Sequence, residues 1–177
     1  MTADASMTEK LPARRRVRLP DYDYSSPGAY FVTICTQGRR CVLSSIRRGD
    51  PCGRPDLRLS RYGKIAEQAF RRVEELYGVS FDVYVIMPNH VHCICRIGER
   101  RATARVAPTL GRIVGAYKSI VANGCQKAGW SGQLWQRSYH EHVIRDEVDL
   151  HAIWEYIEAN PGKWAEDRYY IPWEETP

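Results

Sequence analysis

The chain has 177 residues, a formal net charge of +5, 44% hydrophobic residues and 27% charged residues. This length predicts one domain, and this composition is ordinary for a globular protein. The sequence has no run of eighteen apolar residues and no apolar segment at its start, which argues against a membrane span and a secretory signal. We therefore expect a cytoplasmic protein with no membrane partner.

The predicted elements follow one another as strand, helix, strand, strand, helix, strand and helix. Residues 1–19 are polar and end in a cluster of arginines, and we interpret them as a flexible basic arm. Strands are expected at 29–36, 80–87, 90–97 and 134–145, helices at 61–77, 110–128 and 146–159, and a small ribbon at 41–43 and 57–59. A β-α-β-β-α-β order predicts the ferredoxin-like (RRM-like) split sheet, an α+β fold, here with an extra C-terminal helix.

Capping residues set the predicted helix boundaries. Ser60, Thr109 and Asp146 are placed to cap the three helix N-termini, Gly78 to end the first helix and Pro161 to end the last. The first helix is expected to face the core through a stripe at helical spacing, formed by Ile65, Ala69, Val73 and Leu76.

Two histidines open the strand predicted at 90–97. Because side chains two residues apart in a strand point to the same face, we expect the imidazoles of His90 and His92 to lie together. Two neutral imidazoles side by side can bind a divalent metal ion or a phosphate. Strand alternation places Cys93 and Cys95 on the opposite face, so we expect buried, reduced thiols rather than a mixed Cys/His zinc site.

The last helix carries a tyrosine and an asparagine on the flank of its apolar stripe, which is formed by Leu150, Ile153, Trp154 and Ile157. At about 100° per residue, Tyr156 lies roughly 110° and Asn160 roughly 70° from the centre of that stripe, on the same side. As i and i+4 neighbours, they are stacked on one side of the helix. Both could look along the sheet surface toward His90 and His92.

A second group of polar residues could compete for these roles. Tyr139 precedes His140 and His142, which would also share one face of a strand. We expect these three residues to be structural or to contact nucleic acid. His151 is interpreted as a surface residue and Trp135 as a packing residue.

The segment 87–92 (Met-Pro-Asn-His-Val-His) resembles the His-hydrophobic-His (HUH) signature of single-tyrosine transposases, most closely that of the REP-associated tyrosine transposases. Segments 22–37, 135–145 and 156–161 resemble the same branch, in the same order along the chain. Together the four segments extend over roughly residues 14–164 of the sequence. The resemblance implies an HUH transposase domain over 20–164, built on an RRM-like sheet, and a C-terminal tail over 165–177.

The resemblance also implies an activity and a site. Tyr156 would be the nucleophile beside His90 and His92, and Asn160 would join the two histidines in holding Mg²⁺ or Mn²⁺. The enzyme would nick and rejoin single-stranded DNA at hairpins through a 5′-phosphotyrosine link, acting as a monomer or a homodimer. The planar guanidinium of arginine can donate two parallel hydrogen bonds to a phosphate. The arginines expected to contact DNA are Arg14, Arg15, Arg16, Arg18, Arg39, Arg40, Arg137 and Arg145.

Two other functions stay open at this point. The same RRM-like sheet could bind single-stranded nucleic acid without cutting it, although the sequence has no RNP-like aromatic run such as Gly-Phe-x-Phe. The histidine pair could instead hydrolyse a small phosphoester with the help of a metal ion. Only the transposase hypothesis predicts a covalent protein–DNA intermediate.

Overall fold

The computed structural model describes residues 22–47, 55–98, 108–170 and 172. Its strands are β1 (Gly28–Cys35), β2 (Ser44–Arg47), β3 (Asp56–Leu59), β4 (Ser80–Ile86), β5 (His90–Ile97) and β6 (His140–Ile144). Its α-helices are α1 (Arg61–Tyr77), α2 (Leu110–Lys127) and α3 (Glu147–Ala159), and Gln37–Arg39 and Asn160–Glu166 form 3-10 helices. The expected basic arm, with Arg14, Arg15, Arg16 and Arg18, lies outside the described residues.

Within the described residues, four strands form an antiparallel sheet in the order β4-β5-β1-β6, while β2 and β3 form a separate ribbon. The central strands are β1 and β5, and their register sets Thr33 opposite His92. With α1 between β1 and β4, and α2 between β5 and β6, this is the expected split β-α-β-β-α-β arrangement. The α+β, ferredoxin-like fold is confirmed, and the ribbon is an insertion between β1 and α1.

The two faces of the sheet are covered by different helices. Val32, Cys93 and Cys95 belong to the main core, which the sheet forms with α1 and α2. On the other face Ile94 packs with Ile157 of α3. Both cysteines are buried free thiols, and burial raises their pKa. The expectation that they point away from the histidines is therefore confirmed.

The helices begin and end where their capping residues predict. The side chains of Ser60, Thr109 and Asp146 each accept a backbone hydrogen bond in the first turn of α1, α2 and α3. Gly78 follows α1 with a φ of 65°, in the left-handed region that favours glycine. The chain passes from α3 into a 3-10 helix at Asn160, and Pro161 lies in the first turn of that helix. No helix in the described part of the chain is long and apolar enough to cross a membrane.

The expectation that Leu76 faces the core is wrong, since this side chain is 53% exposed. The buried positions of α1 are Gly63, Ala66, Ala69, Phe70 and Val73. The helical continuation of this face is Tyr77, one turn after Val73, and Tyr77 packs against the core. The buried stripe is therefore rotated away from Leu76.

Two expected strands are displaced or shortened because their backbone groups have other partners. The first ribbon strand starts at Ser44, since the N–H groups of residues 42 and 43 donate to the Pro88 carbonyl at 2.9 and 3.0 Å. In the strand expected at 134–145 only β6 forms. Before it, the Gln37 N–H donates to the Leu134 carbonyl at 2.7 Å and the Gln136 N–H donates to the Cys35 carbonyl at 2.9 Å, so residues 134–136 still pair with the end of β1. The pairing is interrupted where Lys118 Nζ donates to the carbonyls of residues 136 and 137 at 2.7 and 3.2 Å. Trp135 is buried, so its interpretation as a packing residue is confirmed.

Two glycine substitutions test how α1 packs against the segment before β2. A Cβ on Gly63 would overlap the backbone carbonyl of Leu43, so Gly63→Ala must push α1 away from the segment before β2. We expect the free energy of unfolding, measured in urea, to fall by about 1–3 kcal/mol. Gly115→Ala in α2 is the matched control because nothing lies within 4 Å of its added Cβ, and it should stabilise the protein by about 0.5–1 kcal/mol. Equal effects of the two substitutions would contradict this packing.

Candidate active site

The imidazoles of His90 and His92 converge on one point beside α3. Their Nε2 atoms are 2.9 Å apart, and the ring planes meet at 72°. Both residues are almost fully buried, with exposed fractions of 4% and 5%. Strand alternation thus brings the two rings together, as the sequence predicts.

Asn89 fixes the orientation of His90. Its side chain is fully buried, and its Oδ1 lies 2.6 Å from His90 Nδ1. A carbonyl oxygen can only accept a hydrogen bond, so Nδ1 carries the proton of the neutral ring and Nε2 presents its lone pair toward His92. A partner of this kind determines which ring nitrogen is free to bind a metal ion.

Thr33 holds His92 from the neighbouring strand β1. Its hydroxyl oxygen lies 2.8 Å from His92 Nδ1, and Phe31 stacks on the ring with centroids 5.2 Å apart. A hydroxyl can donate or accept, so Thr33 satisfies Nδ1 in either neutral tautomer. His92 can therefore present a proton or a lone pair at Nε2 without losing its partner.

The turn that carries Asn89 is held by its own hydrogen bond and by two other segments of the chain. The Met87 N–H donates to the His90 carbonyl at 2.9 Å and closes a two-residue turn between β4 and β5. Thr36 donates both its N–H and its hydroxyl to the Asn89 carbonyl at 3.0 Å. The Pro88 carbonyl accepts from the segment before β2. These bonds give His90 and Asn89 one defined position.

Burial keeps both histidines neutral. Loss of hydration lowers the pKa of His90 to about 4, and the nearby charge of Arg39 adds to this shift. The charge of Asp167 and a hydrogen bond with the Asn160 side chain oppose it. Burial, then His90 and Arg39, lower the pKa of His92 to about 2. Rings with such a low pKa are unprotonated at neutral pH, the form in which imidazole binds metal ions.

Tyr156 reaches the histidines from α3. Its hydroxyl oxygen lies 3.5 Å from His92 Nε2, and the two ring centroids are 5.3 Å apart. The helix docks on the sheet through the apolar stripe expected from the sequence, formed by Leu150, Ile153, Trp154 and Ile157. Tyr156 itself is 44% exposed, so its hydroxyl is close to the pair and also open to a ligand.

Asn160 follows Tyr156 by one helical turn, and its side chain is close enough to His90 to raise the pKa of that ring. Beside it, a cavity of about 230 Å³ opens between the end of α3 and the following 3-10 helix. The cavity is lined by Met87, Tyr156, Asn160, Lys163, Trp164, Glu166 and Asp167. The structure therefore brings the two histidines, the tyrosine and the asparagine of the sequence prediction into one place.

The donor atoms of this place fit a divalent metal ion. Neighbouring ligands of an octahedral ion, each about 2.1 Å from the ion and at right angles to each other, are about 3 Å apart. The distance between the two Nε2 atoms, 2.9 Å, agrees with this spacing. Within the described residues, no group of three or more His, Cys, Asp or Glu could hold a metal ion. The third protein donor would be the amide oxygen of Asn160, a ligand that Mg²⁺ and Mn²⁺ accept.

The competing tyrosine and histidines have other surroundings. Tyr139 is buried in the main core, on the side of α1 and α2. His142 Nε2 lies 2.8 Å from an Asp149 carboxylate oxygen, so His142 is hydrogen-bonded to the first turn of α3. His140 is exposed, and so is His151, whose interpretation as a surface residue is confirmed.

The described arginines differ in what they contact. The charge of Arg39 acts on both histidines. Arg40 stacks over the Trp130 ring at 4.6 Å and donates to a backbone carbonyl at 2.7 Å. Arg137 and Arg145 are exposed, and within the described residues no contact joins them to the histidine pair. Of these four, the structure brings Arg39 to the candidate site.

Thr33 and Asn89, the two residues that orient the imidazoles, are not among the site residues predicted from the sequence. Asn89 precedes His90, so its place in the motif was a usable signal. Thr33 depends on the register of β1 against β5, which no local pattern reports. Asp167, whose charge acts on His90, lies in the stretch that the sequence predicted only as a tail.

The model of the IS200-like transposase family matches residues 51–160, a range that includes both histidines, Tyr156 and Asn160. The chain belongs to this family. This transposase is 34% identical to an uncharacterized protein of Haemophilus influenzae, over 93% of this chain and 99% of the relative. It is 24% identical to a putative REP-associated tyrosine transposase of the same bacterium, over 80% of this chain and 74% of that one.

A solved structure also shares the fold of this transposase. It is a REP-associated tyrosine transposase bound to a REP hairpin, 22% identical, with a TM-score of 0.61 over 82% of this chain and 73% of that one. The comparisons confirm the predicted resemblance to REP-associated tyrosine transposases. They also confirm that the chain is a transposase, an enzyme that binds and moves DNA.

The hydrogen bond from His90 to Asn89 gives a spectroscopic prediction. In two-bond ¹H–¹⁵N spectra at neutral pH, His90 should carry its proton on Nδ1. Asn89→Leu removes the acceptor at similar volume and should shift His90 toward the Nε2–H form. Asn89→Asp keeps an acceptor and should retain Nδ1–H, and Thr33→Val should leave His90 unchanged because its partner is His92. An Nε2-protonated His90 in the wild type would contradict this arrangement.

Proposed function

We propose that this transposase nicks single-stranded DNA at hairpins and transfers the strand through a 5′-phosphotyrosine link to Tyr156. The observation that carries the proposal is the position of the Tyr156 hydroxyl, 3.5 Å from His92 Nε2 and beside the point where both imidazoles converge. Among the described tyrosines, Tyr156 is the one that contacts the histidine pair. A half-exposed hydroxyl in this position can meet a phosphodiester that lies across the pair.

The proposed step exchanges one phosphoester bond for another. The Tyr156 oxygen attacks phosphorus, the bond from phosphorus to the 3′ oxygen breaks, and that oxygen takes a proton to become a free 3′-OH. The phenolic proton leaves to solvent, which reaches the half-exposed side chain. In the reverse direction a 3′-OH from another strand attacks the phosphotyrosine and releases the tyrosine. Strand transfer therefore needs no nucleotide cofactor, because the covalent link retains the ester bond.

We also propose that His90, His92 and Asn160 hold Mg²⁺ or Mn²⁺. The distance between the two Nε2 atoms and the neutrality of both rings support this assignment. Such an ion would polarise the phosphate and stabilise negative charge on the leaving 3′ oxygen. The chain's own contribution is to orient the two lone pairs, through Asn89 and Thr33, before any ligand arrives.

The hairpin substrate is proposed from family membership and from the fold shared with a transposase that was solved with a REP hairpin. We propose residues 20–164 as the catalytic domain, with 1–19 as a DNA-binding arm and 165–177 as a tail, acting in the cytoplasm as a monomer or homodimer. The proposed phosphate contacts are Arg14, Arg15, Arg16, Arg18, Arg39, Arg137 and Arg145. Arg40 we assign to the fold, because its guanidinium already packs on Trp130.

A non-catalytic binding module of this topology would stack bases on the open face of its sheet. In this transposase α3 covers that face, with Ile157 buried against the sheet. Phe31, an aromatic residue of the same face, already packs against the rings of His92 and Tyr156. These contacts favour catalysis at the edge of α3 over stacking on an open sheet.

Removal of the Tyr156 hydroxyl tests whether this residue is the nucleophile. With a single-stranded hairpin oligonucleotide and Mg²⁺ or Mn²⁺, Tyr156→Phe should lose the covalent protein–DNA adduct by about 10³-fold or more, because no other tyrosine is in place. The adduct is measured by gel shift under denaturing conditions and by mass spectrometry. Tyr139→Phe is the control and should still form it. A Tyr156→Phe variant that forms the adduct at the wild-type rate would overturn the assignment.

Metal affinity is a readout independent of cleavage. By titration calorimetry on DNA-free protein, Asn160→Ala should weaken Mn²⁺ binding by about 10–100-fold, because it removes an oxygen donor. Asn160→Asp keeps an oxygen and adds negative charge, so it should bind at least as tightly as the wild type. His151→Ala, at an exposed histidine of the same helix, should change nothing. Wild-type affinity in Asn160→Ala would exclude Asn160 as a ligand.

A further inference from the structure

The 3-10 turn Gln37–Arg39 lies directly beside the histidine pair. It follows β1, whose last residue, Cys35, is opposite His90 in the sheet. Thr36, the residue before the turn, donates to the Asn89 carbonyl at 3.0 Å. The turn after β1 and the turn before β5 are therefore bonded to each other, and Arg39 leaves the first of them next to the site.

The backbone at this turn is held in an unfavourable conformation. Gly38 has a φ of 64°, which glycine adopts freely. Arg39 has a φ of 56° and is the one residue other than glycine with a positive φ in the described part of the chain. A side chain with a Cβ is strained in this left-handed region, and such strain is often found at functional sites.

The guanidinium of half-buried Arg39 lies over an aromatic ring. Its central carbon lies 5.3 Å from the centroid of the Tyr169 ring. Within the described residues, none of the ion pairs involves Arg39. Its charge acts on both histidines, while Asp167 acts on His90 with the opposite sign.

The neighbouring Arg40 is used differently. Its guanidinium lies 4.6 Å from the Trp130 ring and donates to two backbone carbonyls, at 3.2 and 2.7 Å. Two adjacent arginines thus face different environments. Arg40 ties the turn to the segment after α2, whereas Arg39 makes no such backbone bond within the described residues.

The proposed substrate brings negative charge to a site whose own donors are neutral. Asn160 is an amide, and the charged residues that line the adjoining cavity are Lys163, Glu166 and Asp167, two carboxylates against one ammonium. A phosphodiester carries one negative charge, and its transfer leaves negative charge on the entering and leaving oxygens. A fixed cation beside the pair would offset that charge, and a guanidinium presents two parallel N–H donors to phosphate oxygens.

We propose that Arg39 binds the scissile phosphodiester, donating from its guanidinium to a non-bridging oxygen of the phosphate that Tyr156 attacks. This inference rests on the proposed function and adds one residue to it. The Tyr169 ring limits the orientations of the guanidinium before DNA arrives, so fewer are lost when the phosphate binds. The strained turn sets the direction of the side chain.

The test compares adduct formation by Arg39 and Arg40 variants of the full chain, under single-turnover conditions with saturating hairpin oligonucleotide and Mn²⁺. Arg39→Gln should lower the rate of adduct formation by about 10²–10³-fold, while hairpin affinity changes little because many other phosphates are still contacted. Arg39→Lys keeps the charge without the fork and should show a smaller loss. Arg40→Gln should lower the melting temperature and leave the rate at that of the wild type.

Stability separates a phosphate contact from a structural role. Arg39→Asn suits the left-handed backbone, so its melting temperature should equal or exceed that of the wild type while its rate falls as in Arg39→Gln. Arg39 variants that react at the wild-type rate, or an equal loss in Arg40→Gln, would overturn the inference and leave the proposed function intact. A wild-type protein that forms no adduct through Tyr156 would overturn both.

Discussion

The pairing of β1 with β5 is the constraint on which the candidate site depends. In this register Thr33 lies opposite His92 and can reach its ring. The same pairing brings the turn after β1 against the turn before β5, where Thr36 holds the Asn89 carbonyl. Because side chains alternate along a strand, a shift of one residue would turn both imidazoles into the core and the cysteines toward α3. The apolar pattern that specifies the core therefore also specifies where the histidines point.

The proposed nucleophile comes from a different element, and only the docking of α3 brings it to the histidines. Ile157 buries against the sheet beside Ile94, and Tyr156, its neighbour on the helix, overhangs His92. A small rotation of the helix would leave the apolar contact largely intact and still move the hydroxyl away from the ring. The tyrosine also remains half-exposed, so it is open to the proposed DNA substrate.

Local patterns were sufficient for the order of elements and the helix caps, and the resemblance to single-tyrosine transposases selected the four residues at the centre of the site. Strand alternation and helical spacing are short-range rules, and His90, His92, Tyr156 and Asn160 obey them. The remaining features depend on contacts between distant segments. Lys118 donates to carbonyls of the segment before β6, and the pairing of this segment with β1 is interrupted there although its sequence is strand-like. Likewise, nothing local distinguishes Arg39 from Arg40, since packing alone sends one to the site and the other to Trp130.

Two features beside the histidines reduce stability, and both have a use in a site of this kind. Asn89 is fully buried, and its Nδ2 has no hydrogen-bond partner within the described residues, an arrangement that costs about 1–3 kcal/mol. Arg39 occupies a left-handed backbone conformation at a cost of about 1–2 kcal/mol. A leucine or a glycine at these positions would avoid the respective costs. Neither would orient an imidazole or present a cation, so the local losses of stability fall at two residues to which the proposed strand transfer gives a use: one orients a proposed metal ligand, and the other supplies positive charge.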